Sequence, residues 1–383
     1  MKHYNYIFTG TGLATLMTIC EMIKSEEFKD KSILLIDADS KKTNDRTWCF
    51  WDANGPCDEL VSTKWKNAWF KNDCFEKQLS LNPYLYKMVD GLDFYTYAFN
   101  LIAKEKNIHF TLEKIIDFYE LDNQCIVNTV SESFSCNQIF NSIFNPEFVN
   151  NQSVFPFLHQ HFVGWFIKSK EIVFTKDCAT FMDFSVPQKG NTRFMYVLPT
   201  SSTEALIEYT LFSKELLSKE EYETEIQNYI QKLGIIEYSI IKKEQGNIPM
   251  TCYPFWKHNS GNILNIGSAG GWTKASTGYT FKNTVKKSKA LVKFLSQKKE
   301  LNNFHKINKF WFYDLLLLDI LDKKNELGSK IFSAMFQKGD PALIFKFLDE
   351  ETTFWEDLKV IWKCPKRLFF KALISRVFKL QFL

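Results

Sequence analysis

The stretch Tyr6-Ile7-Phe8-Thr9-Gly10-Thr11-Gly12-Leu13-Ala14-Thr15-Leu16 constrains this chain more than any other. An apolar run, two glycines and a second apolar run predict a strand, a tight turn and a helix. Such a turn is a site for a nucleotide phosphate. Gly10 lets the chain reverse, and Gly12 lets the backbone approach a pyrophosphate. Thr11, Leu13 and Ala14 sit where free N–H groups and the helix dipole meet the anion. Thr15 replaces the usual third glycine. Ser32-Ile33-Leu34-Leu35-Ile36-Asp37 then predicts the second strand of a βαβ unit, ending in an acid placed for a ribose hydroxyl. The same letters also describe an ordinary strand, turn and helix without a ligand.

A second strand-to-glycine turn comes late in the chain. Asn262–Ile266 leads into Gly267-Ser268-Ala269-Gly270-Gly271-Trp272, and Thr277-Gly278-Tyr279 precedes a helix from Thr280. Two such turns point to FAD, with Gly267, Ala269, Gly270, Gly271 and Trp272 as the second set of contacts. Between the turns, short aromatic segments alternate as an antiparallel sheet would, and the last hundred residues have helical periodicity. The predicted fold is α/β. It is a Rossmann-like FAD-binding domain of the hydroxylase (GR2-type flavoprotein) kind, with an inserted antiparallel β-sheet substrate domain and a helical C-terminal region. The expected segments are 1–150 with 246–300, 151–245, and 301–383. Ile108-His109-Phe110, Ile115–Phe118 and Cys125–Val130 are expected to form a β-meander.

Composition removes several classes. A net charge of +4 leaves no electrostatic footprint for nucleic acid. The nine cysteines are scattered, without a C-x-x-C pair or a Cys/His cluster, which predicts reduced thiols, a cytoplasmic protein and no metal site. The chain opens directly into a strand, so no signal peptide is expected. No run of about 20 apolar residues predicts a spanning helix.

The acids carry the most chemical information. Glu204, Leu206 and Glu208 point the same way on a strand, and Asp183 lies inside Phe181-Met182-Asp183-Phe184. A carboxyl on a greasy face resists ionisation, keeps its proton at neutral pH and becomes a proton donor. On an edge strand in water Glu208 would be an ordinary charge. Arg46, in Asn44-Asp45-Arg46-Thr47-Trp48, suits a phosphate, a flavin edge or a surface ion pair. In the tail, Lys363, Lys366, Arg367, Lys371, Arg376 and Lys379 interleave with Leu368, Phe369, Phe370, Leu373, Ile374, Val377, Phe378, Leu380 and Phe382. That composition fits a helix at a membrane surface, and equally a core-packing helix with a solvated basic face.

Taken in chain order, these pieces resemble the lycopene β-cyclase family, bacterial flavoproteins of carotenoid biosynthesis. The resemblance spans Gly10–Thr15, Asn44–Trp48, Gln160-His161-Phe162-Val163-Gly164-Trp165, Met182-Asp183-Phe184 and Phe194–Pro199. It continues through Leu206-Ile207-Glu208-Tyr209-Thr210, Ile248-Pro249-Met250 and Gly267–Phe281. It implies an acid-initiated cyclisation of the linear ends of lycopene, or of related acyclic carotenoids, to β-ionone rings. FAD is required in reduced form without net redox change. NAD(P)H is the implied reductant, and the implied location is peripheral on the cytoplasmic membrane. The family's key carboxylate has two matches, Glu208 by motif order and Phe347-Leu348-Asp349-Glu350-Glu351-Thr352 by letters. Motif order favours Glu208. Tyr209 stands where a second acid is common, which leaves Asp183 as the candidate second carboxylate. Phe181, Phe184, Tyr196, Trp272 and Tyr279 are the expected linings. A flavin monooxygenase or hydroxylase acting on a lipid, and a non-catalytic isoprenoid-binding escort, remain alternative readings.

Overall fold

The first glycine turn springs from a seven-stranded sheet. Its order is Ile108–Leu112, Ile33–Asp37, Lys2–Thr9, Ser133–Asn141, Gln124–Thr129 and Ile115–Leu121, with Ile263–Asn265 also paired to Ser133–Asn141. The structure, a computed structural model, describes residues 1–55, 57–122 and 124–380, with side chains as far as Phe378. Lys2–Thr9 runs parallel to Ile33–Asp37 on one side and to Ser133–Asn141 on the other. Ile263–Asn265 adds a further parallel strand. The helices Leu13–Ile23, Gly91–Ile102 and Phe281–Leu295 cover one face through Leu16, Ile19, Phe94, Phe281 and Leu291. One expectation is corrected. Ile108–Leu112 leaves the meander and pairs in parallel with Ile33–Asp37, because helix Gly91–Ile102 carries the chain over to that edge.

A second seven-stranded sheet has the order Tyr238–Thr251, Phe157–Ser169, Glu204–Ser213, Thr192–Pro199, Cys178–Asp183, Asn67–Lys71 and Glu76–Ser80. Alternation gives it two different faces. Val163, Trp165, Met195, Ile207 and Tyr209 pack under helix Lys219–Lys232 through Ile226, Tyr229 and Ile230. Phe194, Tyr196, Leu198, Leu206 and Phe212 face the other way, into an aromatic core shared with the C-terminal helices. The expected boundaries shift accordingly. Strands Asn67–Lys71 and Glu76–Ser80, within the expected 1–150 segment, belong to this sheet, and Tyr238–Thr251 runs past residue 245. A third sheet orders Thr47–Asp52, Leu85–Asp90 and Thr63–Trp65.

The chain ends in helices Lys309–Lys323, Gly328–Lys338, Pro341–Leu348, Phe354–Ile361 and Lys366–Leu380. The last helix is half core. Leu368, Phe369, Ala372 and Leu373 pack onto Lys309–Lys323. Arg376, expected to be a solvent cation, is fully buried: its Nε donates to Asp319 at 2.7 Å, and Nη1 to the Val154 carbonyl at 2.8 Å. Phe370, Ile374, Val377 and Phe378 are exposed. The side chains of Lys379 and Leu380, and all of Phe382, lie outside the described residues. Among the described residues no helix is long and apolar enough to cross a membrane.

Candidate active site

The two glycine turns meet at the carboxyl ends of two parallel strands, Lys2–Thr9 and Ile263–Asn265, that flank Ser133–Asn141. Gly10 has φ +84°, and Gly267 and Gly271 have +59° and +66°, left-handed values that favour glycine. A Cβ on Gly267 would stand 2.9 Å from the Cβ of Ala14, so the second turn packs directly on the first helix. Thr9 Oγ1 donates to Asn141 Oδ1, and Asn141 Nδ2 to Asn265 Oδ1, each at 2.8 Å, which ties the three strand ends together. Gly12 is different. Its backbone is ordinary (φ −74°, ψ −174°), and a Cβ there would meet nothing within 4 Å. No neighbour in the chain requires a glycine at this position. The open space before the N–H groups of Leu13 and Ala14 fits a dinucleotide pyrophosphate. Asp37 stands beside the turn, where its carboxylate accepts from the Thr11 N–H at 2.6 Å and the Thr11 hydroxyl at 2.8 Å.

Beyond these turns lies a cavity of about 390 Å³ between the second sheet and the segment Ser268–Phe281. Its lining includes Arg46, Thr47, Tyr86, Gln160, Tyr196, Leu206, Glu208, Glu244, Ser268 and Tyr279. Arg46 reaches this cavity and makes the ion pair among its expected settings: its Nε and Nη2 donate to Asp45 at 2.9 and 2.7 Å. Three tyrosines form a hydrogen-bonded group. The Tyr279 hydroxyl lies 3.2 Å from that of Tyr86 and 3.4 Å from that of Tyr196. Phe181 backs them, with its ring parallel to that of Tyr279.

Glu208 enters this cavity from Glu204–Ser213, on the same face as Leu206. Burial first, and the neighbouring Glu244 carboxylate second, push the Glu208 carboxyl up to about 8. The Thr210 hydroxyl, donating at 2.6 Å, offsets part of that rise. Glu244, which the sequence reading missed, lines the same cavity from Tyr238–Thr251 and accepts from the Thr47 hydroxyl at 2.8 Å. Burial raises its carboxyl too, opposed by Thr47 and by Lys242, whose ammonium is 4.0 Å away. A signal was present in the sequence. Gly246, Ile248 and Met250 alternate with solvent-side residues, and the same period carried back reaches Glu244.

Asp183 is corrected as the second carboxylate. The pairing register of Cys178–Asp183 slips on both sides between Thr180 and Asp183. That bulge inverts the alternation, so Phe181, Met182 and Phe184 enter the aromatic core while Asp183 turns to helix Lys219–Lys232. There it accepts from the Tyr229 hydroxyl at 2.7 Å. Two other expected linings also move: Phe184 packs on Phe332 in the core, and Trp272 with Gly271 lines a separate cavity of about 370 Å³. Asp349, Glu350 and Glu351 of the competing motif line that second cavity too. They pair with Lys282, Lys274 and Lys286 respectively, each within 3.2 Å.

A Rossmann-like sheet with an inserted antiparallel sheet and paired glycine turns defines the fold of flavin-dependent hydroxylases, halogenases and reductases. Similar solved structures include a flavin-dependent brominase, with 11% identity, TM-score 0.65, and 99% of this chain and 100% of that one covered. Another is a geranylgeranyl bacteriochlorophyll reductase-like protein from Thermoplasma acidophilum (12%, TM-score 0.61, 98% and 100%). A third is p-nitrophenol 4-monooxygenase from Pseudomonas putida (10%, TM-score 0.58, 97% and 98%). The family model described as lycopene cyclase protein matches residues 5–374, and the chain belongs to that family. No curated protein sequence matches it.

Proposed function

We propose that this chain is an FAD-dependent lycopene β-cyclase with Glu208 as its general acid. One observation carries the reading: a buried carboxyl, which burial raises to about 8, lines one cavity with Tyr86, Tyr196 and Tyr279. Glu208 transfers that proton to the terminal double bond of the linear substrate. The resulting cation is attacked by the next suitable double bond, a C–C bond closes the ring, and a neighbouring C–H proton leaves. The electron-rich rings of Tyr86, Tyr196 and Tyr279, which line the cavity, stabilise the cation. Gly10, Thr11, Gly12, Leu13 and Ala14 would hold the FAD pyrophosphate, Asp37 the ribose, and Arg46 with Gly267, Ala269 and Gly270 the flavin end. Bound in reduced form, FAD would supply negative charge to stabilise the cation, and NAD(P)H would be its reductant.

The substrate is a hydrocarbon dissolved in membrane, and one surface of the chain suits that source. In the stretch 354–378, Trp355 and Trp362 are 73% and 68% exposed, and Phe354, Phe370 and Phe378 are exposed too. Exposed Lys363, Lys366, Arg367 and Lys371 lie among them. Aromatic rings at the headgroup level and cations toward anionic lipid make a peripheral membrane contact.

The deciding experiment is expression in a lycopene-accumulating bacterium with pigment analysis. Cyclic carotenoid is expected from the wild type and red lycopene from Glu208→Gln. Unchanged lycopene with the wild type sinks the reading, and an oxygenated product would redirect it to a monooxygenase.

A further inference from the structure

We propose that Glu244 is the base of the same reaction, removing the ring proton after closure and passing it back to Glu208. This inference rests on the assignment of Glu208 above.

Strand Phe157–Ser169 lies between the strands carrying the two acids. Gly164 is its residue in register with both Glu208 and Glu244. A Cβ at Gly164 would stand 2.7 Å from Leu206 Cδ1, 3.3 Å from Glu244 Cγ and 3.5 Å from Glu208 Cβ. The missing side chain therefore opens the gap across which the two acids face each other. Both line one cavity, and both are buried. Two carboxylates so placed cannot both be charged cheaply, so the pair holds one proton. Their surroundings decide which keeps it. Glu244 has the Lys242 ammonium at 4.0 Å, a half-buried side chain whose Nζ is itself buried without a hydrogen-bond partner, and it accepts from the Thr47 hydroxyl. Among the described residues Glu208 has no cation partner, and its hydrogen bond comes from Thr210. These contacts favour the proton on Glu208 and the charge on Glu244.

That asymmetry matches a reaction that needs one proton in and one proton out. Glu208 loses H⁺ as a C–H bond forms at the terminal alkene carbon. Ring closure moves the positive charge to a ring carbon. Glu244 gains H⁺ as the adjacent C–H bond breaks and its electron pair becomes the ring double bond. Transfer from Glu244 to Glu208 restores the start. Atoms and charge balance without an oxidant, a reductant or an external base.

The test compares Glu244→Gln with Glu208→Gln, each purified, loaded with reduced FAD and given lycopene in vesicles. Glu208→Gln should form no ring. Glu244→Gln should still close rings but fall roughly 100-fold in β-ring formation. Its products should shift to other double-bond isomers or to an alcohol from water capture. Glu244→Asp should recover part of the β-ring product. Wild-type rate and ring type from Glu244→Gln overturn the role of Glu244 alone, whereas an active Glu208→Gln overturns the reading beneath it. A second measurement needs no turnover. Infrared titration of the Glu208 carboxyl stretch should show a midpoint of about 8 in the wild type. In Glu244→Gln it should fall by about one pH unit or more, because a like charge has gone. An unchanged midpoint means that the acids are not paired.

Discussion

Glu208 costs the fold stability in one range of pH. Its carboxyl lies at about 8 in the folded chain against an ordinary 4.5. Between those values the folded state keeps a proton that the unfolded state releases, so stability falls as pH rises through the window. The loss is on the order of a few kcal/mol. Glu208→Gln should therefore melt like the wild type at pH 4 and above it at pH 9, read by thermal unfolding at both. Cyclisation by the wild type should decline above about pH 8, as the acid ionises. Gly12→Ala separates binding from folding in another way. With no atom within 4 Å of the added Cβ, stability should change by less than about 1 kcal/mol. FAD affinity, measured by flavin fluorescence, should drop roughly tenfold or more, because the methyl occupies the pyrophosphate approach. Glu208 was legible because Glu204, Leu206 and Glu208 share one face of an unbroken strand. Asp183 was misread because a bulge is a single extra residue in the pairing, and no local letter near Phe181-Met182-Asp183-Phe184 marks it.

At the scale of elements, Phe157–Ser169 holds the site together. It pairs along its length with both acid-bearing strands. Gly164→Ala tests it. The added Cβ crowds the flexible end of Leu206 and the Glu244 stem, which predicts a folded protein destabilised by about 1–3 kcal/mol. Cyclisation should fall more than stability does, measured as β-carotene formed per mole of folded protein. The C-terminal helix shows what a sequence pattern leaves open. Its basic and apolar residues do alternate as a surface helix requires. Arg376 goes inward only because Asp319, 57 residues earlier, waits on the facing helix. Long-range pairing of this kind has no signature in a local window, whereas the βαβ opening is local and was readable.

Over the whole molecule, the aromatic core that runs from Trp51 and Tyr86 to Phe336 and Phe345 packs the second sheet against the C-terminal helices. Replacing Trp355 and Trp362 together with Ser should leave the melting temperature nearly unchanged, since both are exposed. Co-sedimentation with anionic vesicles should fall severalfold, with little change for neutral ones. Unaltered vesicle binding would remove the membrane contact from the proposal. The interleaving of the two sheets was hard to read because Asn67–Lys71 pairs with a strand more than a hundred residues later. The same interleaving governs the order of assembly. The strand that completes the nucleotide sheet, Ile263–Asn265, is made after all the strands of the substrate sheet. During synthesis the first glycine turn must therefore wait, solvent-open, while the ribosome delivers most of the chain. A chain that ends before Gly267–Gly271 lacks the second of the two turns proposed to hold the flavin.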